Sequence, residues 1–293
     1  MVDKSFSRRL FVGFNTLLFI IYALLCLIPI IYVFSMSLSS SSAIYAGRLV
    51  IWPVEFTLRS YQYVMEKPEF WQGLRVSLLR LLLGVPVEMC MVILAAFPLS
   101  KTKEEFGGKN FFVWFFLITM LFSGGLIPTF MIVKYTGLLN TIWALIIPIA
   151  VPVFNVILLM NFFKAVPREL EEAAIMDGAG YFRILVKVFL PASLPAIATL
   201  TVFSIVGHWN NWFDGMIYMT DARNYPLQTY LQSILVSPNV RNITKAQAQL
   251  LRLISDRTVK ASQVFIAMIP VLIIYPFLQR YFVAGFNLGS VKE

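Results

Sequence analysis

Four groups of side chains in this sequence could do chemistry. Glu88 is the clear ionisable group within a long apolar run, in Gly84-Val85-Pro86-Val87-Glu88. A carboxylate at membrane depth marks a functional site by default; its ordinary counterpart is a buried structural pair or a protonated carboxyl bonded to a neighbouring helix. Arg75 and Arg80 occupy the same run, and either snorkel to the interface or face a path and attract an acidic solute. Trp209-Asn210-Asn211-Trp212 combines ring faces with amides. Sugars are bound that way, and an interfacial aromatic belt has the same composition. His208 is the only histidine. With no neighbouring carboxylate in sequence, it reads as a packed or interfacial residue. The fourth group is the polar stretch Lys164 to Pro191.

Other chemistry is lacking. There is no metal-ligand spacing and no Gly-x-x-x-x-Gly-Lys-Ser/Thr phosphate loop, so ATP is not expected to bind this chain in the usual way. Cys26 and Cys90 both lie in apolar runs and read as buried small hydrophobes rather than a disulfide.

The elements that must position these residues are membrane helices. Of 293 residues, 59% are hydrophobic and 13% charged, against about 25% charged in a soluble domain. Six runs are long enough to cross a hydrocarbon core of about 30 Å: about 10–38, 72–99, 111–133, 141–163, 192–213 and 262–282. They are too long and too uniformly apolar for barrel strands. The expected fold is therefore an all-α polytopic membrane protein of about six transmembrane helices. It divides into residues 1–38, an N-terminal cytoplasmic tail and first transmembrane helix, and 72–282, a core transmembrane domain. The first run exceeds the apolar stretch of a cleaved signal, which favours an uncleaved span, with Ser39 to Ala43 as the alternative cleavage region. The net charge of +9 fits positive loops between spans, not nucleic acid. Lys and Arg are denser in the segments left inside if both termini are cytoplasmic.

Two inter-span segments are large. In 214–261, residues Thr244 to Val259 have helical spacing and suggest an amphipathic helix over the spans or a docking surface for an outside partner. The other, 164–191, has a start, a body and a stop for a short helix. Pro167 suits a first turn, and Glu169, Glu171 and Glu172 favour the positive end of the helix dipole. Ala173 and Ala174 are strong helix formers, while Gly178 and Gly180 end the helix. The spacing places Ala174 and Gly178 on one side. These residues alone describe a short surface helix.

The string Glu172-Ala173-Ala174, then Gly178 after three residues, then Leu190-Pro191 resembles the EAA motif of bacterial ABC importer permeases. Asp177-Gly178-Ala179 fits the sugar-importer version. The stretch from Pro128 to Pro148, the Trp209 to Phe213 cluster and the Gln279 to Gly285 segment are similar to carbohydrate permeases of the Lpl type. The chain departs from the pattern at Arg75-Val76-Ser77, where many sugar permeases have Asn-Ser.

The resemblance implies a type I ABC importer permease fold and an oligosaccharide or complex glycan as cargo. It implies a coupling helix with Glu172, Ala173, Ala174, Asp177, Gly178 and Ala179 at the contact with a separate ATPase dimer. That ATPase would hold ATP and Mg, leaving no cofactor and no enzymatic activity in this chain. A second permease subunit and an extracytoplasmic solute-binding protein complete the expected assembly. Arg75, Arg80, Glu88, Trp209, Asn210, Asn211 and Trp212 are candidates for the substrate path. The competing readings are an ion-coupled secondary transporter, which needs intramembrane charges or inverted repeats, and a membrane-embedded enzyme.

Overall fold

The computed structural model describes residues 6–48, 51–236 and 256–290, and among these the chain is helical, without strands. It forms two compact units: residues 1–68 with 233–269, and 69–232 with 270–293.

In the first unit, α1 (Phe6–Ser37) is long and apolar enough to cross a membrane. Nearly all of its large apolar side chains are exposed. Its C-terminal end is tied down through a run of serines. Ser37 shares a 2.7 Å hydrogen bond with the Tyr61 hydroxyl, and Val54 N–H donates to Ser39 Oγ at 3.1 Å. Leu38 C=O accepts from Thr57 N–H at 2.9 Å. Short helices α2 (Ser41–Tyr45) and α3 (Arg59–Met65) flank this knot. The serine run from Ser39 thus forms a folded cap on α1.

The second unit is built on α4 (Pro68–Ser100), which also meets the length and apolarity needed for a span. Pro68 opens it and Glu69 lies in its first turn, both suited to a helix start. One face of α4 is polar or small. Gly73, Ser77, Arg80, Gly84 and Glu88 are all buried on it, at the three- and four-residue steps of a single helix side.

Of the next three predicted spans, the first two are each broken into two bent helical pieces, and the third begins at a bend. α5 (Lys109–Leu121) and α6 (Leu126–Tyr135) meet at 114°. The break falls at Ser123-Gly124-Gly125, where Gly125 has φ +84°, a conformation that glycine adopts without the Cβ penalty. At about 1.5 Å per residue, α5 alone falls short of the hydrocarbon thickness. Residues Ile142–Ile149 form 3-10 turns bent 51° from α7 (Val153–Lys164). Pro148 and Pro152 interrupt the backbone ladder there.

After α8 (Arg168–Met176) come α9 (Tyr181–Ile184), a π turn at Leu185–Phe189 and α10 (Leu190–Ala192). Together they run 85° from α11 (Leu194–Asn210). Pro191 and Pro195 flank this break and remove two donors from it. α12 (Phe213–Tyr218) and α13 (Leu227–Val236) follow. The helix suggested for Thr244 to Val259 lies mostly outside the described residues. At its end, α14 (Asp256–Ser290) has already begun, so the last helix starts earlier than expected.

The apolar core of this unit joins α4, α7 and the α9–α11 region. Val92, Ala96, Leu159, Phe163, Ile184 and Leu200 are buried together. Phe97, Phe163 and Phe189 pack edge to face in a closed triangle, with centroid separations of 5.1–6.3 Å. Such pairs add about 0.5–1.5 kcal/mol each beyond burial. The triangle lies beneath the loop that carries α8.

Candidate functional site

α8 is the predicted loop helix, and its ends are those expected from sequence. It begins after Pro167. It ends in a Schellman motif: Ala179 N–H donates to Ala174 C=O, and Gly178 N–H to Ile175 C=O, both at 2.9 Å. Gly178 sits at φ +74°, which costs a residue with Cβ about 1–2 kcal/mol.

This reversal divides the expected coupling residues. Glu172, Ala173, Asp177 and Gly178 are exposed. Ala174 and Ala179 are half-buried and turn back onto the core. Ala174 and Gly178 therefore do not present one common outward side, because the helix has already ended at Met176. The outward surface holds apolar residues that the sequence reading passed over. Leu170 and Ile175 are half exposed, and Met176 is 87% exposed.

Glu171 ties α8 to the bundle. It forms an ion pair with Lys101, one residue beyond the end of α4. Lys101 is buried, with its ammonium 4.3 Å from the Phe97 ring centroid and 4.1 Å from that of Phe189. A charge buried this way is held by its partner and the two ring faces. Sequence reading missed this link, although Lys101 is the first cation after the long run of α4 and Glu171 lies in the first turn of α8.

A second polar group lies inside the same unit. Arg80 is completely buried and all five of its donors are used. Nε donates to His208 Nδ1 at 3.3 Å. Nη1 donates to Asn211 C=O and Asp214 Oδ1, both at 3.1 Å. Nη2 donates to Leu145 C=O at 3.2 Å and also to Asp214 Oδ2. Arg80 is thus no snorkelling side chain; it ties α4 to the 3-10 turns, the end of α11 and α12.

His208 continues the network. Because Nδ1 accepts from Arg80, the neutral ring carries its proton on Nε2. Nε2 lies 3.1 Å from Glu88 Oε2, off the line of a good hydrogen bond but in reach electrostatically. Asn155 Nδ2 donates to Glu88 Oε1 at 3.1 Å. The carboxylate neighbour that sequence proximity did not reveal is therefore Glu88, across the bundle. A Cβ on Gly84 would come 2.8 Å from His208 Cε1, so glycine is what lets the ring cross α4.

The remaining path candidates separate by exposure. Trp209 is buried, Asn211 is half-buried, and Arg75, Asn210 and Trp212 are exposed. Asp214 and Asn155, both central to the network, were not anticipated. The signal for the network was the spacing of Arg80, Gly84 and Glu88 in steps of four. Among the described residues no cluster of His, Cys, Asp and Glu could hold a metal ion.

Comparison with known proteins gives concordant matches. Residues 2–287 match the family described as binding-protein-dependent transport system inner membrane component. The polygalacturonan/rhamnogalacturonan transport system permease protein YtcP of Bacillus subtilis is 36% identical over 273 residues, 93% of this chain and 95% of that protein. Protein LplC of the same organism is 36% identical over 266 residues, 91% of this chain and 89% of that one. Among solved structures, a chain of a bacterial ABC transporter involved in import of the acidic polysaccharide alginate superposes with a TM-score of 0.87. It is 34% identical, over 96% of this chain and 100% of that one. A chain from the alginate transporter in complex with its alginate pentasaccharide-bound periplasmic protein shares the fold, with a TM-score of 0.57 at 16% identity.

Proposed function

The chain belongs to the binding-protein-dependent transport system inner membrane components, and we propose that it forms half of the membrane path of an ABC importer for an acidic oligosaccharide. The observation that carries this reading is α8. It is a short capped helix with an exposed apolar and small-residue surface, anchored to α4 through Glu171 and Lys101. Such a helix can pass force from an ATPase into a span. Closure of two ATPase subunits on ATP moves α8, and the Lys101 link carries the motion to α4. ATP and the solute then bias one bistable bundle toward different states. The ATP and Mg sites belong to the ATPase partner.

A second permease subunit supplies the other half of the path. The exposed apolar length of α1 suits contact with lipid and with such a partner. A solute-binding protein docks on the outside, and both termini and the α8 loop face the cytoplasm. The acidic cargo follows from relatives whose names give polygalacturonan and alginate, and from the excess of cationic side chains in this chain.

Arg75, Asn210, Asn211 and Trp212 are the path residues we favour, being wholly or partly exposed in this chain. Arg80, Glu88 and Trp209 act from behind them by fixing the helices. Nothing in this geometry favours the ion-coupled alternative, because Glu88 is engaged by Asn155 and His208.

Reconstitution of the complete transporter with its binding protein and a panel of neutral and acidic oligosaccharides tests the proposal. Uptake and stimulated ATP hydrolysis are expected with uronate-containing oligomers, and Arg75→Ala is expected to reduce uptake of acidic cargo more than neutral. Uptake driven by an ion gradient without ATP would overturn the reading, and uptake confined to neutral sugars would overturn its acidic-cargo part.

A further inference from the structure

A cavity of about 300 Å³ lies beside α8 where α4, α5 and α7 end, lined by Lys101, Lys109, Lys164, Arg168, Glu105 and Glu171 among others. That volume is at the lower end for small-molecule sites, roughly 300 Å³ upward. Four cations face two carboxylates. Glu171 is engaged by Lys101. The Thr102 N–H donates to Glu105 at 2.8 Å, and that bond holds the Glu105 carboxyl below its usual range. Four cations against two carboxylates leave the lining an excess of two positive charges.

Among the described residues no ion pair outside the cavity balances these cations, and within it Arg168 acts on Glu105. Lys109 donates to Lys101 C=O, which uses one of its three protons and none of its charge. Among the described residues neither Lys164 nor Arg168 has an ion-pair partner. The charges of Lys109 and Lys164 also act on one another, and an anion between them would relieve that repulsion. On the membrane side, α5 begins at Lys109 and exposes Phe111, Trp114 and Phe115. A cationic cavity at the ends of three membrane helices, beside an exposed aromatic face, matches a lipid with a phosphate head and acyl chains.

We propose that this cavity binds the phosphate head of an anionic phospholipid, with Lys109, Lys164 and Arg168 as the contacts and α5 as the track for the acyl chains. The site rests on the proposed cytoplasmic placement of the α8 loop. A lipid held there touches the hinge between α4 and α8, so the cytoplasmic leaflet acts on the same link that the ATPase moves.

Native mass spectrometry of the complete transporter, taken from vesicles of equal parts phosphatidylglycerol and phosphatidylcholine, tests this. About thirtyfold preferential retention of phosphatidylglycerol is expected, from the attraction of two unbalanced cations. The pair Lys109→Gln and Lys164→Gln should abolish the preference, and Lys109→Arg with Lys164→Arg should restore it. No preference in the native transporter, or full preference in the glutamine pair, overturns the proposal. Displacement of the lipid by millimolar inorganic phosphate would make this a site for a soluble anion and overturn the lipid assignment. A parallel Ala173→Trp transporter separates the two readings. Retained lipid with retained ATPase docking would sink the coupling assignment of α8 alone, whereas lost preference with impaired docking would sink the lipid site alone.

Discussion

Arg80 on α4 grips Asp214 on α12 through both terminal nitrogens, in the buried interior of the second unit. The pair spans 134 residues of sequence. It joins a membrane helix to the region that follows α11, so its loss should be felt well beyond its own contacts. Arg80→Ala leaves the Asp214 carboxylate without its counter-charge, at a cost of about 3–5 kcal/mol. Arg80→Lys should rescue poorly, because an ammonium cannot supply the two-pronged contact. Removing both partners should cost less than the sum of the single changes. Thermal unfolding of the detergent-solubilised transporter measures the native chain, both single variants, the double variant and Arg80→Lys.

Gly84 and His208 form a second such contact. With Cε1 only 2.8 Å from the position of an added Cβ, Gly84→Ala must push the ring away from Glu88 and Arg80. The expected cost is about 1–3 kcal/mol, even though alanine is the better helix former by about 1 kcal/mol. In a His208→Ala background the clash disappears and the helix preference remains. Gly84→Ala should then be neutral or stabilising, a change of sign readable in the same unfolding assay.

The link between Lys101 and Glu171 makes a prediction about coupling. Glu171→Gln leaves the buried ammonium with a weaker partner, losing about 1.5–3 kcal/mol of local stability. α8 should then exchange its amide hydrogens faster than in the native chain, while amides in α4 keep their protection. Transport should fall relative to ATP hydrolysis, because the helix still docks but pulls less firmly on α4. Equal rates of exchange in both proteins would show that the pair does not hold the helix.

Met176 offers a surface prediction. An 87% exposed apolar side chain on a nine-residue helix is costly to charge only where a partner covers it. Met176→Asp should leave the isolated chain as stable as before, within about 0.5 kcal/mol. It should weaken retention of the ATPase when the complex is purified. Unchanged retention would remove Met176 from the contact.

The limits of α8 could be read from Pro167 and Gly178 because helix ends are local chemistry. The outward face could not be read as well. Ala174 points inward because the Schellman turn folds Ala179 back onto the core, and only packing decides that. The six apolar runs marked the membrane class, yet the 114° break at Gly125 was hidden inside one of them, since apolar composition does not distinguish a straight helix from a folded one. The polar network was half visible. Arg80 and Glu88 stood out as charges in an apolar helix, whereas His208 and Asp214 are joined to them only by tertiary structure. The four-residue rhythm of Arg80, Gly84 and Glu88 was the available clue to a shared inward face.

If α8 receives the ATPase as proposed, bulk added to its outward face must disturb that contact. Ala173 is exposed within the helix, so Ala173→Trp adds bulk at the contact without the backbone strain that any change at Gly178 would bring. Co-purification of the ATPase and solute-stimulated ATP hydrolysis should be measured on this variant beside the native transporter. Normal membrane yield of the chain is expected, with loss of the bound ATPase and of stimulated hydrolysis. A variant that keeps its ATPase and hydrolyses ATP at the native, solute-stimulated rate would contradict it.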